Sequence, residues 1–226
     1  KGLVVAPGFI DIHSHSDELL LEDGRAHSKI RQGVTTEVLG EGKSVGPLRG
    51  HLPARALKAR GKALGWASVG GYFDLIDTEG VSVNVATYVG LDNVWESVMG
   101  KSHARPTAKQ FEEMKTLLEE AMTDGALGLS TYMMMPPGAL ATVDDLAELC
   151  KVVKKHGGIY SSHIRTEGVG VLDAVKEAVA AAGAVVVGLI AGVPALRVRG
   201  VNLAVVTFAA WIAASRRSSP SSSTTS

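Results

Sequence analysis

Short β-forming runs and helical stretches take turns along the first 180 residues, and that alternation constrains the fold more than any single motif. Runs rich in branched or apolar residues occupy 9–12, 35–39, 81–89, 126–130 and 159–162, the first of which reads as a buried strand. Helical patterns intervene, two of them opened by capping-box sequences, Thr107 to Gln110 and Thr142 to Asp145. Strands that alternate with helices run parallel and are joined by right-handed crossovers, so the class is α/β with about five βα units. Glycines close the helices, Gly33 after one and Gly157-Gly158 after another.

Residues able to do chemistry gather just beyond the ends of these runs. His13 and His15 leave the first run two residues apart, and a strand sends such neighbours to one side. Two imidazoles on one face can chelate a cation, with Asp11 and Asp17 available to orient them; the alternative is a pair of solvated histidines. Glu41 ends the second run between Gly40 and Gly42, where the backbone can fold tightly and project the carboxylate; the alternative is an ordinary exposed loop glutamate. His163 ends the fifth run, with Arg165 and Glu167 alternating beyond it. An arginine there can grip a substrate carboxylate with two parallel hydrogen bonds, or pair with Glu167.

The remaining helices read as core elements. Phe111, Met114, Leu117, Leu118, Ala121 and Met122 share one helical face, as do Leu146, Leu149, Cys150 and Val153. Cys150 is therefore expected to be a core thiol, and Met133 to Met135 packing residues. The stretch 46–66, with five Lys and Arg residues, reads as a solvated excursion with one short helix or as a substrate-facing loop. The stretch 170–182 is expected to turn Leu172, Val175 and Val179 inward and Asp173, Lys176 and Glu177 outward. Zero formal net charge argues against a nucleic-acid partner. A lone cysteine excludes an internal disulfide framework, and no charged-then-apolar signal opens the chain, so a cytoplasmic location is expected.

Several segments carry a resemblance. Pro7-Gly-Phe-Ile-Asp-Ile-His-Ser-His15 resembles the first-strand signature of the amidohydrolase superfamily, metal-dependent hydrolases on a (β/α)8 barrel. Gly33-Val-Thr-Thr-Glu-Val-Leu-Gly-Glu-Gly42, Asp124-Gly-Ala-Leu-Gly-Leu-Ser-Thr131, Pro136-Pro-Gly138 and Gly157-Gly-Ile-Tyr-Ser-Ser-His-Ile-Arg-Thr-Glu-Gly168 resemble one branch of it, the N-acyl-D-amino-acid deacylases or D-aminoacylases. The resemblance implies an incomplete (β/α)8 barrel whose site lies at the C-terminal ends of the strands. It implies hydrolysis of the amide of small N-acyl-D-amino acids, with zinc or another divalent cation, one or two ions. His13 and His15 would bind one cation, His163 another, and Glu41 both, in the neighbourhood where many members use a cysteine. Where many members carry Gly-His-Gly, this chain has Gly90-Leu91-Asp92, so substrate preference does not carry over. The general-base Asp of the family falls beyond the family-like region, and no catalytic residue is assigned.

The likeness stops near residue 180. Residues 178–196 are free of charge for 19 positions, long enough to raise a membrane span, though Gly183, Gly188, Gly192 and Pro194 weaken it. Another apolar run at 201–214 and a Ser-rich stretch at 216–226, expected to be disordered, follow. The change of character at 181–226 is what reading GC-rich coding sequence out of frame would produce. Only Lys1 to Val5 precede the stretch that opens at Ala6-Pro7, which reads as a truncated front. The expectation is a partial amidohydrolase barrel at 1–180, weak or inactive alone. Two rivals remain, a dihydroorotase- or dipeptidase-like hydrolase and a non-catalytic membrane-associated product.

Overall fold

The computed structural model describes residues 2–183. The elements run β1 (Phe9–Asp11), α1 (Asp17–Glu22), α2 (His27–Ile30), β2 (Val34–Leu39), β3 (Arg55–Ala59), β4 (Lys62–Trp66), α3 (Val69–Glu79) and β5 (Asn84–Thr87). After them come β6 (Val89–Gly90), α4 (Leu91–Met99), α5 (Ala108–Thr123), β7 (Gly128–Tyr132), α6 (Val143–Lys155), β8 (Ile159–His163) and α7 (Val171–Ala182). The alternating pattern is thus α/β, as expected. The expectations for 184–226 lie outside the described residues.

All pairings except the β3–β4 hairpin are parallel, in the orders β1-β2-β5 and β6-β7-β8. Backbone bonds join the two groups: Tyr88 N–H donates to Leu39 O (2.9 Å) and Leu127 N–H to Thr87 O (2.8 Å). The stretch holding β5 and β6 therefore works as one interrupted strand, paired first with β2 and then with β7. Gly90 lets this happen, because a Cβ there would lie 2.2 Å from Gly42 O.

Both capping boxes form, Thr107 with Gln110 and Thr142 with Asp145. Met114, Leu117, Leu118, Ala121 and Met122 of α5 are buried, as are Leu146, Leu149, Cys150 and Val153 of α6. Helix α4 packs beside α5 and against β6 and β7, and buries Leu91, Val94 and Trp95 completely. Burial pushes the Cys150 thiol up to about 12, as a core thiol requires.

Three local expectations are corrected. The stretch 46–66 is no helical loop. It contains an antiparallel hairpin with Arg55 opposite Trp66 and Ala59 opposite Lys62. Arg60 and Gly61 both have positive φ (49° and 73°), as a two-residue primed turn requires. The Arg60 guanidinium reaches back to Leu20 O (2.9 Å) and Glu79 O (2.6 Å), which fixes an arginine where glycine or asparagine is usual. Strand β1, expected to be buried, leaves Phe9 63% and Ile10 41% exposed, because among the described residues it pairs on one side only. In α7, Ala174, Ala181 and Ala182 are buried while Leu172 is 62% exposed. Glu177 turns inward there to meet an arginine, so the expected faces are partly exchanged.

Candidate functional site

Beyond Asp11 the first segment keeps strand-like alternation: Ile12 and Ser14 are buried, His13 is half-buried and His15 is exposed. Ser14 N–H donates to Val38 O (3.0 Å), so β2 still guides the backbone after β1 has ended. His13 Nε2 and His15 Nε2 face each other at 3.1 Å. Two nitrogens on a tetrahedral zinc, each about 2.0–2.1 Å from it, stand about 3.3 Å apart, so this separation suits a shared cation. Asp11 accepts from the backbone N–H of His13 (3.2 Å) and not from a ring. Asp17 is largely buried with Oδ1 unpaired among the described residues; burial first, opposed by nearby His15, raises its pKa.

His163 comes from the other margin of the sheet. Strand β8 places it opposite Tyr132 on β7, and the Tyr132 ring meets it edge-on at 5.4 Å. Its ring centroid lies 4.9 Å from that of His13, which lies 5.0 Å from that of His15. His13 is therefore the middle of three adjoining imidazoles contributed by the first and last strands described.

Glu41 lies against the same strand as His163. Gly40 and Gly42 flank it with φ of 87° and 74°, and a Cβ on Gly40 would lie 2.5 Å from Tyr88 O. Ser130 clamps the turn, its hydroxyl donating to Gly40 O and accepting from Gly42 N–H. The Glu41 carboxylate is only 6% exposed, so it is not an ordinary surface glutamate. One oxygen accepts from the Ser161 hydroxyl (2.5 Å), and the other, Oε2, has no partner among the described residues. Ser161 is two residues before His163, hence on the same strand face. Burial and then the Glu41 charge raise the Tyr88 hydroxyl above its ordinary value. A desolvated carboxylate with one donor is costly unless a cation completes its shell. This orphaned oxygen, with the facing imidazole nitrogens, fits a metal.

Among the described residues, no group of three or more His, Cys, Asp and Glu side chains is gathered as a ready cage. The three rings touch edge to face instead of aiming all their nitrogens at one point.

Arg165 does not face the imidazoles. Its Nε and Nη2 grip Glu177 (2.9 and 2.6 Å), while Nη1 and Nη2 also reach Ala139 O and Ala141 O (2.9 and 3.0 Å). The Glu177 contact comes first in raising its pKa. With its fork occupied, Arg165 is not free for a substrate carboxylate, and its partner is Glu177 instead of Glu167. It ties α7 to the turn after β7.

Sequence reasoning passed over Ser161, Ser130 and Tyr132, since isolated Ser and Tyr residues carry no signature. The two-residue spacing from Ser161 to His163 was the available signal. Asp92, in the first turn of α4, is buried with Oδ1 unpaired among the described residues. Burial first, then Glu96, pushes its pKa up to about 6, against the pull of Lys43.

The chain is 39% identical over 180 residues to the D-aminoacylase of Alcaligenes xylosoxydans xylosoxydans, covering 78% of this chain and 37% of the relative. A crystal structure described as a D-aminoacylase defining a subset of amidohydrolases superposes with a TM-score of 0.69 at 34% identity, over 79% of this chain and 38% of that one. Over this shared stretch the chain is a homologue of D-aminoacylases and N-acyl-D-amino-acid deacylases. The N-acyl-D-glutamate deacylase of Bordetella bronchiseptica, in a complex with zinc and a phosphonate inhibitor that mimics the tetrahedral intermediate, also matches at TM-score 0.69. The identity is 37%, over 78% of this chain and 38% of that one. The chain thus spans just over a third of the length of the relatives it matches. No family model matches it.

Proposed function

We propose that this chain carries part of the metal centre of an N-acyl-D-amino-acid deacylase. It would bind one or two divalent cations, zinc foremost, and act on the amide of a small N-acyl-D-amino acid. His13 and His15 would hold one cation, His163 a second, and the free oxygen of Glu41 would reach both. The observation that carries this reading is the meeting of His13 and His163, 150 residues apart in sequence, with ring centroids 4.9 Å apart.

That meeting also supports an incomplete (β/α)8 barrel at 1–180. A flat sheet with strands about 4.8 Å apart would hold the first and fifth about 19 Å from each other, beyond the reach of two imidazoles. Eight-strand closure sets the first and fifth strands across a diameter of about 15 Å, which inward side chains can span.

Bound cations would polarise the amide carbonyl and acidify a water. The chain's own residues have other tasks: Ser130 holds the Glu41 turn, Ser161 hydrogen-bonds its carboxylate, and Tyr132 packs on His163. No general base is assigned here, and low activity is expected of the chain alone. Leu91, at the position where many members of the family have histidine, keeps a second reading alive, a cyclic-amide or dipeptide hydrolase on the same centre. The chain would work in the cytoplasm on a small molecule, without nucleic acid. Among the described residues, no helix is long and apolar enough to cross a membrane. The stretch 181–226 would be a non-family tail from a shifted reading frame, and the coding DNA tests that directly.

Metal analysis of the purified chain tests the centre. Stoichiometric zinc that falls away in both His13→Ala and His163→Ala is expected. Zinc unaffected by either change would remove the proposal. Turnover of N-acetyl-D-amino acids against dihydroorotate and dipeptides then separates the two readings.

A further inference from the structure

Directly beneath the histidine pair lies a second polar cluster that the metal reading leaves unused. Glu37 of β2 is fully buried (0% exposed). Its Oε2 accepts from the hydroxyls of both Ser14 (2.5 Å) and Ser16. Lys29 of α2 comes within 3.5 Å of the same oxygen and bonds Asp11 Oδ2 (2.5 Å) and Ser14 Oγ (3.0 Å). Asp11 in turn receives the backbone N–H of His13 (3.2 Å).

These contacts form a pattern. In the run His13-Ser14-His15-Ser16 the serines point down onto one carboxylate while the histidines point up and face each other at 3.1 Å. Among the described residues regular pairing does not supply that order, because β1 ends at Asp11 and only Ser14 N–H to Val38 O continues it. Burying a carboxylate beside a half-buried lysine is an inefficient way to gain stability, since apolar residues of similar volume commonly do as well. Such a cluster makes physical sense where it specifies a geometry.

We propose that Glu37, with Lys29, is the positioning residue of the His13–His15 pair. By anchoring the two serines it fixes the alternation that sets both Nε2 atoms at chelating distance. The inference rests on the metal reading above and adds the support on which that half of the centre depends.

The test uses the full 226-residue chain and zinc, titrated in competition with a chromophoric chelator. Glu37→Gln and the double variant Ser14→Ala/Ser16→Ala are compared with wild type and with His13→Ala. Unfolding of each metal-free protein is recorded, and so is the visible spectrum at saturating cobalt. Both anchoring variants are expected to bind zinc about 10- to 100-fold more weakly, the usual loss when the support behind a ligand is removed. They are also expected to show an altered cobalt band, which lost stability alone would not produce. Should Glu37→Gln fail to fold, the serine double variant decides. Zinc affinity and cobalt spectrum both unchanged in that folded variant would overturn the inference and leave the metal centre standing. Zinc bound neither by wild type nor more weakly by His13→Ala would instead bring down the centre itself, and the inference with it.

Discussion

Glu41→Gln should reverse its effect on stability according to whether zinc is present. The carboxylate is 6% exposed, has the Ser161 hydroxyl on one oxygen, and leaves the other without a partner among the described residues. A buried acceptor left unsatisfied costs about 1–3 kcal/mol, more when it is charged. An isosteric amide keeps the Ser161 bond and removes the charge, so part of that penalty is relieved. In excess EDTA the variant should therefore unfold at a higher temperature, by about 2–6 °C for a gain of about 1–1.5 kcal/mol in a domain of this size.

Zinc changes the sign. A ligand bound only by the folded state at 100 times its dissociation constant adds about 2.7 kcal/mol. If the amide weakens zinc binding about 100-fold, the same concentration adds only about 0.4 kcal/mol to the variant. Wild type should then be the more stable protein by about 1 kcal/mol. Differential scanning fluorimetry of both proteins, in EDTA and in a zinc series, reads the crossing of the two midpoints. A variant less stable than wild type in EDTA, with a zinc-induced shift equal to that of wild type, would refute the reasoning. Glu41 would then be a structural acceptor with no cation to complete it.

Asp92 gives a pH dependence: with a folded pKa of about 6 against an ordinary 3.8, the folded state holds a proton that the unfolded chain has released between those values. Stability should fall by about 2–3 kcal/mol as pH rises from 4 to 6 or above, and Asp92→Asn should remove that loss; urea titrations of the two proteins at pH 4 and 7 measure it. Arg165→Met strips the partner from Glu177 and two backbone carbonyls and should cost about 1–2 kcal/mol in denaturant. Adding Glu177→Gln should recover part of the loss, and strict additivity would deny the coupling. Cys150, buried with its thiol pushed up to about 12, should resist alkylation at pH 8 until the chain unfolds; labelling in native buffer would contradict its placement.

What the sequence disclosed was what local chemistry settles. Thr107 with Gln110 and Thr142 with Asp145 announce their helices because a capping box satisfies orphan N–H groups within one turn. Alternating β-rich and helical runs indicated a parallel sheet for the same reason: period and propensity are local. The hairpin at 55–66 was hidden because its turn uses Arg60, whose positive φ is supported by contacts to Leu20 and Glu79 that sequence spacing does not reveal. Arg165 was misjudged likewise, its true partner Glu177 being one helix away and not two residues away. The exposure of Phe9 belongs to the order of strands, and no propensity carries that information.

The two halves of the candidate centre are supported differently, and the difference follows from where their strands lie. His163 ends a five-residue strand paired along its whole length with β7, and Tyr132 flanks its ring. Its position is thus set mainly by the ladder. His13 and His15 follow a three-residue strand with a register shift between Phe9 and Ile10, paired among the described residues on one side only. Hydrogen bonding in β1 cannot fix their direction. The side-chain anchors do it instead, with Ser14 and Ser16 on Glu37 and Lys29 tying Glu37 to Asp11. Polar anchors have directions that apolar packing lacks, so they can hold a short segment in one alternation where a slip of one residue would exchange both histidines for serines. A site that needs two imidazoles side by side at a sheet margin therefore has a physical reason to place a buried carboxylate beneath them.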